Sequence, residues 1–396
     1  STSILVTLFT GILLGLASGV NALTALHIGS KDDEGLKRTV HTAVIICLAG
    51  GILITVFGIL FSHNILALMN TKDELIDGAV LYLRIYLLGM PALGLYNFGN
   101  AVLSAAGDTK RPLYYLAFAG VVNVILNLFF VIVCHLGVAG VALASMISQF
   151  ISAFLILRAL LTGKEKYCLR LSEIRFDKRK AVGILQIGIP SAFQYSLFAF
   201  ANLFVQSSVN SFDHVLVEGN SAAANADPLV YDMMAAFYTA CSSFIAQNFG
   251  ARKKKRILQT YLICLFYSFI TSLLLGVGIY LARYPFLYLF TSDKAVVEAG
   301  ITRLSIMALS YSASAFMDAS IAASRGLGKT AVPTFVVVMG SCVFRIIWIY
   351  TIFAYFHTIQ SLYILYVFSW GITAIAENIY FFHVYRHTLT EKKELC

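Results

Sequence analysis

Residues 39–61 read TVHTAVIICLAGGILITVFGILF, a stretch without a single Lys, Arg, Asp or Glu. As a helix it would rise ~1.5 Å per residue, enough to cross the ~30 Å hydrocarbon layer of a bilayer. No water is available there to hydrogen-bond an open backbone, so a lone apolar run of this length spans as a helix. Ten more such runs lie on either side, over 4–27, 75–105, 113–134, 138–161, 181–209, 221–248, 257–281, 296–324, 331–355 and 361–385. The long runs 75–105 and 296–324 are expected to pass beyond the hydrocarbon or to tilt. Composition agrees: of 396 residues 59% are hydrophobic and 12% charged, whereas soluble domains carry about 25% charged residues. The fold class is an all-α polytopic membrane protein with eleven spans.

The net charge of +9 raises the possibility of nucleic acid, but its placement removes it. Alternate loops hold 22 of the Lys and Arg residues, around Lys31–Arg38, Lys110, Lys164–Lys180, Arg252–Arg256, Arg325–Lys329 and Arg386–Lys393. The opposite loops hold three: Lys72, Arg283 and Lys294. Such asymmetry places the basic loops, and the C-terminus, in the cytoplasm. The seven cysteines are scattered singly, with neither a disulfide framework nor a metal-ligand spacing.

A shift of 221 residues brings the chain onto itself. Gly29 falls on Gly250, Leu66 on Leu287, Ala101 on Ala322 and Pro112 on Pro333. The clearest pair is Gly107-Asp108-Thr109-Lys110-Arg111-Pro112 with Gly328-Lys329-Thr330-Ala331-Val332-Pro333. In each, a Gly ends one helix and a Pro opens the next. The second half, 181–385, holds six spans and the first half five. The span 181–209 has no partner, so a twelfth helix is expected ahead of Ser1. The expected organisation is a first bundle over 1–161, a basic linker and hinge over 162–180 and a second bundle over 181–396, the two in parallel orientation.

The stretch 91–112, PALGLYNFGNAVLSAAGDTKRP, resembles the fourth helix and following turn of the multidrug and toxic compound extrusion (MATE) family. Ile187-Gly188-Ile189-Pro190, Gln247-Asn248-Phe249-Gly250 and the runs 317–328 and 343–353 resemble later helices of a bacterial branch. The resemblance covers the whole chain. It implies a twelve-helix fold of two pseudo-two-fold related six-helix bundles in a V, with a central cleft. It also implies multidrug efflux by alternating access, exchanging organic, often cationic, compounds for H⁺ or Na⁺. Many sodium-coupled members carry an acid in the seventh helix; here none lies between Asp177 and Asp213.

Charges inside spans are costly and usually have a reason. Asp318 is the first coupling-ion candidate, and a buried carboxylate suits a group that takes up and releases protons. The competing role is an ion pair with Arg345 on the next span. Glu377 and Asp232 are further coupling candidates. Asp227, Tyr231, Met234 and Tyr238 recur at i, i+4, i+7 and i+11, one helical face. A carboxylate beside aromatic rings suits an organic cation, although Tyr and Met at such spacing more often pack. Gln194, Asn202 and Gln206 form an uncharged polar face that lines the cleft or bridges helices. Gly11, Gly15 and Gly19 form a small-residue stripe, favoured as packing. Arg84 and Arg303 are expected to snorkel outward.

No Walker motif and no H-E-x-x-H motif occurs, so neither ATP drive nor an intramembrane zinc enzyme is indicated. The rival within transport is a lipid-linked oligosaccharide flippase, whose cleft would be strongly cationic. No cofactor beyond the coupling ion is expected. The expected partners are the lipid bilayer and small organic solutes, for a monomer in a bacterial cytoplasmic membrane.

Overall fold

The computed structural model describes residues 2–68 and 73–388. The described residues form helices α1 (Thr2–Ser30), α2 (Asp33–Leu68), α3 (Asp73–Leu87), α4 (Met90–Ala105), α5 (Lys110–Leu128) and α6 (Gly137–Thr162). After the linker come α7 (Lys178–Val209), α8 (His214–Ala224), α9 (Ala226–Gly250), α10 (Lys254–Leu281), α11 (Arg283–Tyr288) and α12 (Lys294–Gly326). The last are α13 (Ala331–Val337), α14 (Phe344–Trp348), α15 (Ala354–Phe356) and α16 (Ile359–His387). Among the described residues ten helices are long and apolar enough to cross a membrane, and an eleventh forms if α3 and α4 count as one span. Every expected span is helical, although 75–105 and 221–248 each fall on two consecutive helices. The run 75–105 is not one tilted rod: it bends by 43° between α3 and α4, where Pro91 in the first turn of α4 cannot continue the preceding helix.

The chain falls into two compact units, one of residues to Ser196 and one from Leu197, so α7 contributes to both. In the first unit the core gathers Val40, Phe98, Leu103 and Ile156 from α2, α4 and α6. The apolar face of α5 is left exposed, with Leu113, Leu116, Phe118 and Val121 outward; in a bilayer that surface meets lipid. The glycine stripe of α1 packs against the first half of α7: a Cβ on Gly15 would fall on the backbone of Ala192, and one on Gly19 on the carbonyl of Ile184. Packing is therefore what this stripe does, through close backbone approach.

The basic linker is fastened to the first turns of α2. Lys37 pairs with Glu173 at 2.5 Å. The amide of Arg170 donates to Nε2 of His41 at 3.1 Å, and that of Asp177 to the Thr42 hydroxyl at 3.0 Å. Lys37 and the adjacent Arg170 hold the Glu173 carboxyl below the usual range, and backbone amides of Lys180 and Arg179 do the same for Asp177. In the expected hinge, these bonds belong to the first unit.

The repeat is written into the backbone. Gly107 and Gly328, 221 positions apart in the chain, both have positive φ, +89° and +73°. Each closes its helix with the same kind of bond: the amides of Asp108 and Lys329 reach the carbonyls of Leu103 and Ser324. Lys31 and Arg252, related by the same shift, have φ of 58° and 56°.

Candidate functional site

In the second unit α9, α12 and α16 bring most of the intramembrane charges inward. Toward the end remote from the basic loops, Arg303 of α12 donates to both oxygens of Asp227 on α9, at 3.3 and 2.7 Å. The Tyr311 hydroxyl, two turns along α12, donates to the same carboxylate at 2.5 Å. Arg303 is 4% exposed, so it does not snorkel; it is a buried partner of Asp227. Tyr231 stands edge-on to both Tyr311 and Trp370, with ring centroids 6.1 Å apart in each case. Met234 is fully buried in the same apolar cluster, with Met307 and Trp370. The carboxylate expected to face an organic cation is thus already neutralised, and Met234 packs.

Nearer the basic end of these helices lie two more acids, Asp318 and Glu377. Asp318 of α12 is within hydrogen-bonding reach of the Tyr238 hydroxyl on α9, and that hydroxyl also accepts from Ser268 of α10 at 3.4 Å. Glu377 of α16 has no solvent exposure, and neither of its oxygens has a hydrogen-bond partner among the described residues. Other buried atoms without partners among the described residues are Nε of Arg325 and the hydroxyl of Ser324, both on α12, and the hydroxyl of Ser242, one turn from Tyr238 on α9. Buried polar groups are paired in the great majority of cases, which sets these atoms apart.

The expected pair between Asp318 and Arg345 is absent among the described residues. Arg345 donates through Nη1 to Oδ1 of Asn202 at 2.8 Å and through Nε to the Ser369 hydroxyl at 3.3 Å. It is 2% exposed, with its guanidinium 4.6 Å from the Tyr366 ring centroid and 5.8 Å from that of Phe198. The local backbone is not a regular α-helix. Between Ala331 and Arg345 the chain runs through a π-helical segment, Val338–Val343, whose wider turn rotates Arg345 away from its α-helical register.

Asn202 and Gln206 bridge helices: Gln206 accepts from Asn220 of α8 at 3.5 Å and donates to Asn210 at 2.9 Å. Gln194 is buried in the first unit. Asp232 is exposed on α9 and is not gathered with Asp318 and Glu377. The described residues hold no group of three or more His, Cys, Asp or Glu fit for a metal. Sequence inspection missed Arg303, Tyr311 and Trp370 as a unit. The signal was available for two of them: Arg303, Met307 and Tyr311 recur every four residues, so one face of α12 carries the charge inward with the apolar residues.

The MatE family profile matches residues 1–129 and 190–351. Among curated proteins, the chain is 28% identical over 307 residues to "Probable multidrug resistance protein YoeA" of Bacillus subtilis (strain 168), across 75% of this chain and 66% of the relative. It is 30% identical over 258 residues to "Probable multidrug resistance protein YpnP" of the same organism, across 65% of this chain and 57% of the relative. The matches thus span less than two thirds of each relative's length. A solved structure described as "Outward-facing conformation of a multidrug resistance MATE family transporter of the MOP superfamily" superposes with a TM-score of 0.91 at 21% identity, covering 97% of this chain and 86% of that one. The fold is the same.

Proposed function

The chain belongs to the MatE family, and from that premise we propose that it is a multi-pass secondary transporter that exports small organic solutes in exchange for H⁺ or Na⁺. The observation that carries the reading is the pair of acids in the second unit. Glu377 is buried without a hydrogen-bond partner among the described residues, and Asp318 lies on α12, which packs against the helix of Glu377. Carboxylates kept inside a span at such cost belong to ion pathways more often than to scaffolding. A cation entering beside them would meet the carboxylates of Asp318 and Glu377 and the hydroxyl of Tyr238. Arg325, at the basic end of α12, supplies the opposing charge that favours its release.

The two sequence-repeat halves, 1–161 and 181–396, are the parts that would alternate, with 162–180 between them, and the basic loops and C-terminus would lie in the cytoplasm of a bacterial cell. The chain works as a monomer in this reading. A preference for organic cations now rests on the exposed Asp232, because Asp227 is engaged by Arg303. A flippase for anionic lipid-linked sugars is the weaker reading: in the second unit Asp227, Asp318 and Glu377 balance Arg303, Arg325 and Arg345, so its interior is not strongly cationic.

The test is efflux of a fluorescent organic cation from proteoliposomes under H⁺ and Na⁺ gradients imposed one at a time. Acceleration by either gradient is expected, and it names the ion. Dye movement indifferent to both gradients would reject the coupling reading.

A further inference from the structure

Arg345 bears a guanidinium, yet it is 2% exposed. It lies roughly 21 Å along its span from Ala331 at ~1.5 Å per residue, well within the hydrocarbon layer. Charges at that depth are as a rule paired. Arg303 obeys the rule through Asp227. Arg345 does not: no carboxylate pairs with it among the described residues. Its two hydrogen-bond partners, Asn202 and Ser369, are neutral oxygens that orient the guanidinium without cancelling its charge. The rings of Tyr366 and Phe198 flank it.

The backbone offers a second, independent observation. Two π-helical segments, Val338–Val343 and Ile349–Phe353, bracket the short helix α14 that carries Arg345. Such segments are uncommon and recur at functional sites.

We propose that Arg345 is the docking point for an anionic group, a carboxylate, sulfonate or phosphate, on an aromatic solute held against Tyr366 and Phe198. The guanidinium fork matches such oxyanions in two-point geometry. The incoming anion supplies the counter-charge that the fold leaves out, and the flanking rings suit an aromatic body better than a hydrated ion. The proposal rests on the transport reading and extends it to the charge of the solute. It differs from the cation preference that Asp232 would impose.

The chain carries its own reporters: its two tryptophans, Trp348 and Trp370, lie on α14 and α16, the helices that hold Arg345 and Ser369. The experiment measures energy transfer from tryptophan to a dansyl group, with the purified chain in phosphatidylcholine nanodiscs. Two probes share that fluorophore and differ in charge: the dansyl sulfonate anion and the dansylcadaverine cation. The wild type should bind the sulfonate saturably. Arg345→Gln should weaken it by about tenfold or more, the size of a lost charged hydrogen bond, while leaving dansylcadaverine unchanged. Arg345→Lys, which keeps the charge but not the two-point fork, should bind the sulfonate more weakly than the wild type and more tightly than Arg345→Gln. Arg345→Gln orphans no carboxylate, and a thermal melt verifies that it folds. The proposal is overturned if the wild type shows no saturable sulfonate binding, or if Arg345→Gln weakens both probes alike or neither. Saturable sulfonate binding with no gradient-driven efflux would reject the transport reading and leave this site standing.

Discussion

Arg303 holds Asp227 by two hydrogen bonds, of 3.3 and 2.7 Å, across 76 residues of chain. The pair is asymmetric: the arginine side chain is 5% exposed and the aspartate 28%. A carboxylate left alone can turn to water, whereas a guanidinium left alone cannot.

Asp227→Asn should therefore destabilise the protein by about 3–5 kcal/mol, as breaking a buried pair commonly does. Arg303→Gln should cost less, and the double substitution should recover most of the loss. Melting temperatures of the three variants in one detergent check the order. An Asp227→Asn protein that melts with the wild type would mean that the pair contributes nothing.

Glu377→Gln removes a charge but no hydrogen bond, since neither carboxylate oxygen has a partner among the described residues. It should fold and express normally. Gradient-driven efflux should fall by at least about tenfold if the carboxylate carries the coupling ion, while solute exchange without a gradient continues. Asp318→Asn should behave alike, with an added effect on Tyr238. Undiminished efflux by Glu377→Gln would remove Glu377 from the pathway.

Gly107→Ala and Gly328→Ala meet no steric obstacle, because nothing lies within 4 Å of the added Cβ at either position. The cost is backbone strain alone, about 1–2 kcal/mol each for a left-handed L-residue. The two lie in separate units, so their effects should add within a few tenths of a kcal/mol. Thermal or denaturant melts of both singles and the double decide it. An Ala variant as stable as the wild type would contradict the shared helix-ending turn.

Asp32 titrates outside the spans. The Gly35 amide donates to its carboxylate at 2.8 Å and His27 lies 3.0 Å away, and together they hold its carboxyl below the usual range. A folded-state value below the unfolded one means that the stabilisation is present above about pH 4 and fades as pH falls through the folded value. Asp32→Asn should thus melt lower than the wild type at neutral pH, and the gap should close on acidification. Glu173 and Asp177 shift the same way, so the linker's hold on α2 should loosen over the same acid range. Amide exchange in residues 163–177, compared at neutral and acid pH, tracks that loosening; protection that stays constant counts against it.

The spans, the repeat and the helix-ending glycines were legible in the sequence because each is a local property. An apolar run of about 20 residues has one way to satisfy its backbone in a bilayer, and a Gly–x–Thr–x–x–Pro turn carries its conformation with it. The acids were legible as residues, since a charge inside an apolar span stands out. Their partners were not. Depth along a helix can be counted, and it put Arg345 somewhat deeper than Asp318 but within an arginine's reach; azimuth cannot be counted once a π segment interrupts the period, and Arg345 meets Asn202 and Ser369 instead. Arg303 shows the converse. Its position near a helix end suggested an outward reach, but the pairing with Asp227 and Tyr311 depends on how α9 packs on α12. Sequence thus determined which residues lie in the membrane, and tertiary structure alone decided which charges meet, because pairing is set by the rotation of packed helices about their axes.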